Sequence, residues 1–374
     1  MFGGKRKNSD FPIGLDVGDH GVRLLQLSKR GGKLTAVAAA QARLPEGLKA
    51  QSDAYHAAVA EAIGRSLAAG GFAGNRVVSA LPASSMQCKN LRLPTMPADE
   101  LAAAVQWEAA DRFGFGDQQT SAQFLVAGEV RQGEETRQEI ILLAAKLGFV
   151  EAHVAALIQN SLRPQAIDAV PAALARLTDT WATGTESPGP KTDTHVLIDV
   201  GYSATKVLIV RDGRVVFFKP IEIGGTHLDS VLSGSLSISL DEARQKREAL
   251  ETGDTNENQS VLSALLPPLN DLGREIGLCL RYYGVTFRGP RPETARLLGG
   301  GAAPWLVETL GQASGLQLEL GGVFDGIDLS AVRGVIEPGS EHGWAVAAGL
   351  SLRHLNSAKQ RQPSSEATQQ EVAA

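Results

Sequence analysis

A thirteen-residue segment that occurs twice sets the strongest limit on what this chain can become. Residues 13–25 read IGLDVGDHGVRLL, and residues 196–208 read VLIDVGYSATKVL. Asp16, Val17, Gly18 and Leu25 return as Asp199, Val200, Gly201 and Leu208, at a constant offset of 183. Arg23 and Leu24 return as the similar Lys206 and Val207. Each copy passes through an Asp-x-Gly turn. It then reaches a second turn, at Gly31 and Gly32 or at Asp212 and Gly213, before another apolar run. Strand, turn, strand, turn, strand opens a β-meander. Chance would not be expected to place the same Asp-x-Gly turn twice, so the pattern predicts a duplicated, two-lobed fold.

Strand and helix patterns alternate through the rest of the chain, which favours an α/β class. Residues 75–81 read as a strand. Residues 98–113 read as a helix that opens on Asp99 and Glu100 and carries Leu101, Val105 and Ala109 at helical spacing. Residues 139–145 suggest a buried strand, and 149–160, 171–177, 240–250 and 267–285 suggest helices. A short strand at 295–298 runs into Gly299, Gly300 and Gly301, with a helix expected at 305–313. Residues 183–193 (TGTESPGPKTD) have linker composition, and 251–259 read as a long exposed loop. The polar ends, 1–11 and 356–374, are expected to be disordered.

Composition removes several function classes. With 36 basic and 41 acidic side chains the net charge is −5, without the basic stripe of a nucleic-acid binder or a polybasic membrane-surface protein. No run of about 18 apolar residues occurs, and no apolar segment follows the charged N-terminus, so a soluble, cytoplasmic protein without a span is expected. Cys88 and Cys279 stand 191 positions apart with no CxxC, as ordinary buried thiols in a reducing compartment do. The 7 histidines show no metal-ligand or triad spacing, so no catalytic residue is identified.

The turns themselves carry the chemistry. An Asp-x-Gly turn bends the backbone so that successive amides face one cavity and form an anion seat. Its carboxylate suits Mg²⁺ held through water, which assigns Asp16 and Asp199 to a metal. One turn from each lobe would clamp phosphates, and the glycines at 299–301 would let an adenosine lie against the backbone. A single Asp-x-Gly can be merely a good β-turn; its recurrence at duplicated positions, with the glycine run downstream, favours the site. His20 reads as a solvent-exposed turn residue, with a phosphate-facing one as the alternative. Trp107 reads as a core residue, with a partner anchor as the alternative. The charge run 241–251 reads as a solvated helix face with Glu242–Lys246 and Arg247–Glu251 pairs.

These segments resemble the actin-like ATPase superfamily. IGLDVG, LIDVG, EIGG at 222–225 and LLGGGA at 297–302 are similar to its two phosphate motifs, connecting turn and adenosine motif. Within it the chain resembles the PilM family of type IV pilus assembly, through residues 77–115, 140–177 and 343–353, over about 12–355 in all. The resemblance implies a two-lobed actin-like fold, ribonuclease H-like and duplicated, with a nucleotide cleft between lobes. Lobe I would span 12–180, with a small inserted subdomain at about 77–148. Lobe II would span 194–334, and 335–355 would return to lobe I.

The resemblance further implies ATP and Mg as cofactors. The contacts fall at Asp16, Gly18, Asp19, Gly21 and Arg23 in the first turn and at Asp199, Gly201, Ser203, Thr205 and Lys206 in the second. They continue at Gly224 and Gly225, at Glu242 and Lys246 in the nucleoside helix, and at Gly299, Gly300 and Gly301. The first turn departs from the family's small hydroxyl residues, because Asp19 sets a second carboxylate where phosphates would sit. The implied function is a cytoplasmic scaffold, at most a weak ATPase. It would be brought to the inner membrane by gripping the N-terminal tail of a PilN-like protein, beside other platform proteins of the pilus machine. The partner groove is expected at Leu81, Leu93, Pro94, Pro97 and Trp107. A true ATPase or sugar-kinase-like phosphotransferase of the superfamily is the alternative, although the substrate-binding insertions of such kinases are not evident.

Overall fold

The computed structural model describes residues 9–48, 52–113, 119–181, 194–250 and 256–353. The expected 183–193 linker, the 356–374 tail, residues 1–8 and the 251–255 part of the expected loop lie outside the described residues.

The first meander comprises β1 (Ser9–Val17), β2 (Gly21–Arg30) and β3 (Lys33–Arg43), and α1 (Asp53–Gly70) leads to β4 (Arg76–Ala80). An inserted unit follows: β5 (Gln87–Pro94), α2 (Ala98–Phe113), β6 (Thr120–Gln132) and β7 (Glu135–Lys146). The chain then forms α3 (Leu147–Gln159), β8 (Arg163–Ile167) and α4 (Val170–Trp181). The second meander is β9 (Thr194–Val200), β10 (Thr205–Arg211) and β11 (Arg214–Ile221), followed by α5 (Gly225–Leu236), α6 (Leu240–Glu248) and α7 (Asn256–Phe287). The remaining elements are β12 (Thr294–Leu298), α8 (Pro304–Ser314), β13 (Gln317–Leu320), β14 (Ile327–Asp328), β15 (Arg333–Gly334) and α9 (Ala345–Ser351).

Two sheets repeat one topology. The first runs β3-β2-β1-β4-β8, extended past β3 by β14 and β15, and the second runs β11-β10-β9-β12-β13. In both, an antiparallel meander meets parallel strands on the far side of its first strand. The registers repeat too. Asp16 lies opposite Arg23, and Asp199 opposite Lys206. Gly18 N–H donates to Gly21 O at 2.9 Å, and Gly201 N–H to Ala204 O at 3.0 Å, again 183 residues apart. The central strands are buried on both faces, as sheets covered on two sides require. Ile13, Leu15 and Val17 pack with Val59 and Ile63 of α1, while Leu25, Leu27 and Ala39 pack with Leu174 of α4 and Ala347 of α9. The second sheet packs Val196, Ile198 and Val207 against α5, α7 and α8.

Three expected boundaries move. β4 pairs with β1 and β8, so residues 76–80, at the start of the unit expected at about 77–148, form part of the first sheet, because an apolar strand gains more between two parallel partners than at an edge. β14 and β15 pair with β3, so the chain returns to the first sheet before residue 335. The α7 helix starts at Asn256, and so residues 256–259 are helical rather than loop. Pro267 and Pro268 suggested a helix start, since proline suits the first turn. The buried stripe Val261, Leu265, Leu269 and Leu272 carries the helix through them.

Candidate functional site

The Asp-x-Gly turns of the two sheets converge where the lobes meet. Asp16 and Asp199, at the ends of β1 and β9, share one electrostatic neighbourhood with Asp19, Arg23 and Lys206. Burial pushes the Asp16 carboxyl up to about 6. Arg23 and Lys206 oppose that rise, and Asp199 and Asp19 add to it. Lys206 Nζ donates to Asp199 Oδ2 at 2.7 Å with both side chains largely buried. Burial alone would lower the Lys206 pKa, but Asp199 at this distance, with Asp16 and Asp19 beyond it, raises it above the usual lysine value.

The glycines at 299–301 form a cradle against this carboxylate. Gly299 has φ +95°, and a Cβ there would lie 2.3 Å from Asp199 Oδ1, so only glycine fits. Gly299 N–H donates to His342 O and Gly301 N–H to Val200 O, both at 2.9 Å. The Arg23 guanidinium lies over Gly300, 3.0 Å from where its Cβ would be, and Arg23 Nε donates to Gln41 Oε1 at 3.2 Å. Gly224 and Gly225 close the second turn from below. Gly225 N–H donates to Gly201 O at 3.0 Å, and a Cβ on Gly224 would strike the backbone of Ser203 and Ala204. Thr205 Oγ1 donates to Ile223 O at 2.6 Å, tying the connecting turn to β10.

Other expected residues are placed differently. Glu242 is committed to a capping box with Ser239, accepting its backbone N–H at 2.9 Å while Ser239 Oγ accepts the Glu242 N–H. That cap holds its carboxyl below the usual range. The run 241–250 is solvated only in part. Arg244 and Arg247 are buried, and Arg247 Nε donates to buried Asp229 at 2.5 Å; the expected Arg247–Glu251 pair lies outside the described residues. A buried guanidinium needs a buried carboxylate, and α5 supplies one. Arg244 also reaches Glu46 of the first lobe. Lys246 sits half-buried on the same helix. His20 is half-buried, not solvated. Its ring stacks on Tyr202 with centroids 4.4 Å apart, and burial lowers its pKa, with Arg244 and Arg43 reinforcing the effect.

The expected partner groove divides across the inserted sheet. Its order β5-β7-β6 leaves β6 an edge strand. On one face Leu93 packs with Leu101 and Val105 of α2, and beyond that helix Trp107 is 67% exposed, an outward rather than a core tryptophan. Pro94 and Pro97 are exposed on the connection to α2. Leu81 alone of the five lines a cavity of about 890 Å³ on the other side, between the β6 edge, the start of α4 and the β10–β11 turn. Val126 and Ala127 of β6 form one wall, and Asp168, Arg176 and Arg353 another. Arg176 and Arg353 reach Asp168 at 2.7 and 2.6 Å. This wall escaped the sequence reading, because its residues come together only through the sheet crossover. The one available signal was the alternating apolar run of β6.

Among the described residues no group of three or more His, Cys, Asp or Glu side chains is placed to hold a metal, and no helix is long and apolar enough to cross a membrane. Residues 14–355 match the family described as type IV pilus assembly protein PilM. Among solved structures the chain is similar to a PilM-PilN type IV pilus biogenesis complex. The identity is 24% and the TM-score 0.74, over 91% of this chain and 98% of that one. It is also similar to the ethanolamine utilization protein EutJ from Carboxydothermus hydrogenoformans, at 13% identity and a TM-score of 0.54 over 92% and 89% of the two chains. The fold is the two-lobed actin-like one that the repeated turn pointed to. A family match that runs through both lobes and the inserted unit places the chain in the PilM family of type IV pilus assembly proteins.

Proposed function

We propose that this protein is a cytoplasmic scaffold of a type IV pilus or related secretion machine. It holds an extended segment of a PilN-like inner-membrane protein in the cavity beside β6. The observation that carries this reading is an edge strand forming the wall of a roughly 890 Å³ cavity, on the lobe I side of the inserted sheet. An extended segment can add backbone hydrogen bonds to such an edge and place alternate side chains in the cavity. The similar PilM-PilN complex supports the choice of partner. That partner would also bring the protein to the membrane.

The ATP and Mg implied by the resemblance belong in the interlobe cleft. The residues fit the cation side: Asp16 and Asp199 approach each other closely enough for each to repel the other's charge, which a divalent ion held through water would offset. The glycine cradle would receive the adenosine. A bound Mg-ATP would supply a structural link between lobes. Asp16 must be ionised to hold the ion, and Lys206 must release or share Asp199.

The test is a fluorescence titration of the full chain with a peptide from the N-terminus of the neighbouring PilN-like protein. A micromolar Kd, about −8 kcal/mol, is expected, since ordering a short tail costs entropy. Val126→Asp, at an exposed cavity position, should weaken binding at least tenfold, and Trp107→Ala should leave it unchanged. The opposite pattern would move the site to the α2 face. No binding up to about 1 mM, near −4 kcal/mol, would remove the proposal.

A further inference from the structure

The two turns that would clamp a phosphate clamp each other. Asp19, in the first turn, accepts hydrogen bonds from Ser203 Oγ of the second turn and from Ser84 Oγ at the entrance to the inserted unit. His20 beside it stacks on Tyr202 with the ring planes within 15°. Ser203 lies inside the loop that Gly201 N–H and Ala204 O close, the bend whose donors would face an anion. A carboxylate of this chain therefore sits at the mouth of that bend. Other charges at the cleft are paired within the chain as well: Lys206 with Asp199, Arg244 with Glu46, and Arg43 with Glu248 at 3.4 Å. Three of these contacts, through Asp19, Glu46 and Arg43, join the first lobe to the second.

We infer that Asp19 is an internal anion that occupies the anion seat of the second turn and latches the lobes together. A phosphate-bearing ligand of the nucleotide class enters only by displacing it. The charge makes the exchange unfavourable in wild type: a phosphate brought beside an undisplaced Asp19 meets a like charge. Once the carboxylate is removed, the Ser84 and Ser203 hydroxyls lose the anion they donate to, and phosphate oxygens can take its place.

The inference does not rest on the partner cavity, and its test uses a different ligand. Isothermal titration of the full chain with Mg-ATP is compared between wild type and Asp19→Ala, with the melting temperature of each protein recorded without ligand. The expected result is a Kd at least tenfold lower for Asp19→Ala than for wild type, together with a lower melting temperature in the absence of nucleotide. Equal or tighter binding by wild type would overturn the inference, and so would no binding by either protein at millimolar Mg-ATP. If Asp19→Ala does not fold, Asp19→Asn keeps the size and removes the charge, and the same order of affinities is expected.

Discussion

Asp16 shows how one carboxyl can be tuned by its neighbours and still be read from sequence. Its pKa in the fold, about 6, lies above the ordinary 3.8, so the folded chain holds the proton more tightly than the unfolded chain does. The stability this gives is fully present below about pH 4 and is lost as pH rises through 6. Asp16→Asn mimics the protonated form. It should melt higher than wild type at pH 7.5, by roughly 1–2 kcal/mol after allowing for the part of the side chain that meets solvent, and match it at pH 4. Differential scanning fluorimetry at the two pH values checks this, and a lower melting point at pH 7.5 would contradict it. A second consequence concerns Mg²⁺, whose hold on Asp16 should weaken below pH 6 as the carboxyl protonates. Asp16, Asp199 and Lys206 were legible in the sequence because a repeated turn fixes their spacing, and Gly299 because three glycines follow a short strand. Arg244 and Arg247 were not. Their partners, Asp229 and Glu46, lie elsewhere in the chain, and a charge run looks the same whether water or a carboxylate faces it.

At the scale of elements, periodicity located helices and strands, and packing set their limits. The bounds of α2 agree with the sequence reading residue for residue, because Leu101, Val105 and Ala109 define a single buried stripe. The start of α7 was hidden, since local proline chemistry and tertiary burial pointed to different residues. Close approach was hidden as well. α9 lies so near its neighbours that a Cβ on Gly349 would be 1.9 Å from Ala173 O of α4, and one on Gly14 of β1 would be 2.0 Å from Ala347 O. Gly349→Ala should therefore cost about 2 kcal/mol or more by forcing backbone apart. Gly277→Ala in α7 meets nothing within 4 Å and should stabilise by about 0.5–1 kcal/mol, as alanine does in a helix. Urea midpoints at an unchanged m-value would report both, and destabilisation by Gly277→Ala would mean the helix is more tightly held than these distances indicate.

Considered whole, the molecule is two copies of one sheet with an inserted unit braced against both. Buried Glu139 on β7 accepts from Arg92 Nε at 2.8 Å and from the Tyr282 hydroxyl of α7, and Asn90 Nδ2 donates to Phe218 O of β11. Duplication was legible because two turns repeat. The division of the groove across the inserted sheet was not, because sequence spacing does not tell which face of a sheet a helix will cover. The two lobes differ in one respect with a measurable effect: the second contains its own elements from β9 to β13, while the first also needs α9. A chain ending at residue 340 should keep the second lobe folded and expose the first. Limited proteolysis should then cut within residues 9–43 and leave a fragment spanning 194–320. Equal resistance of the truncated and full-length chains would show that α9 is dispensable.

That same α9 determines when the protein can be finished in the cell. Ser351 Oγ donates to Pro12 O at 2.8 Å and accepts the Leu27 N–H at 3.1 Å, a contact spanning 324 residues. The first meander leaves the ribosome some 324 residues before its partner helix. At about 5–20 residues per second that interval is some tens of seconds. Throughout it the apolar face of the nascent sheet that carries Leu25 and Leu27 is at best half covered, because α4 can reach it before α9 does. Synthesis of this protein therefore creates an early, sticky intermediate, and a ribosome-associated chaperone that shields apolar strands would be expected to raise its yield.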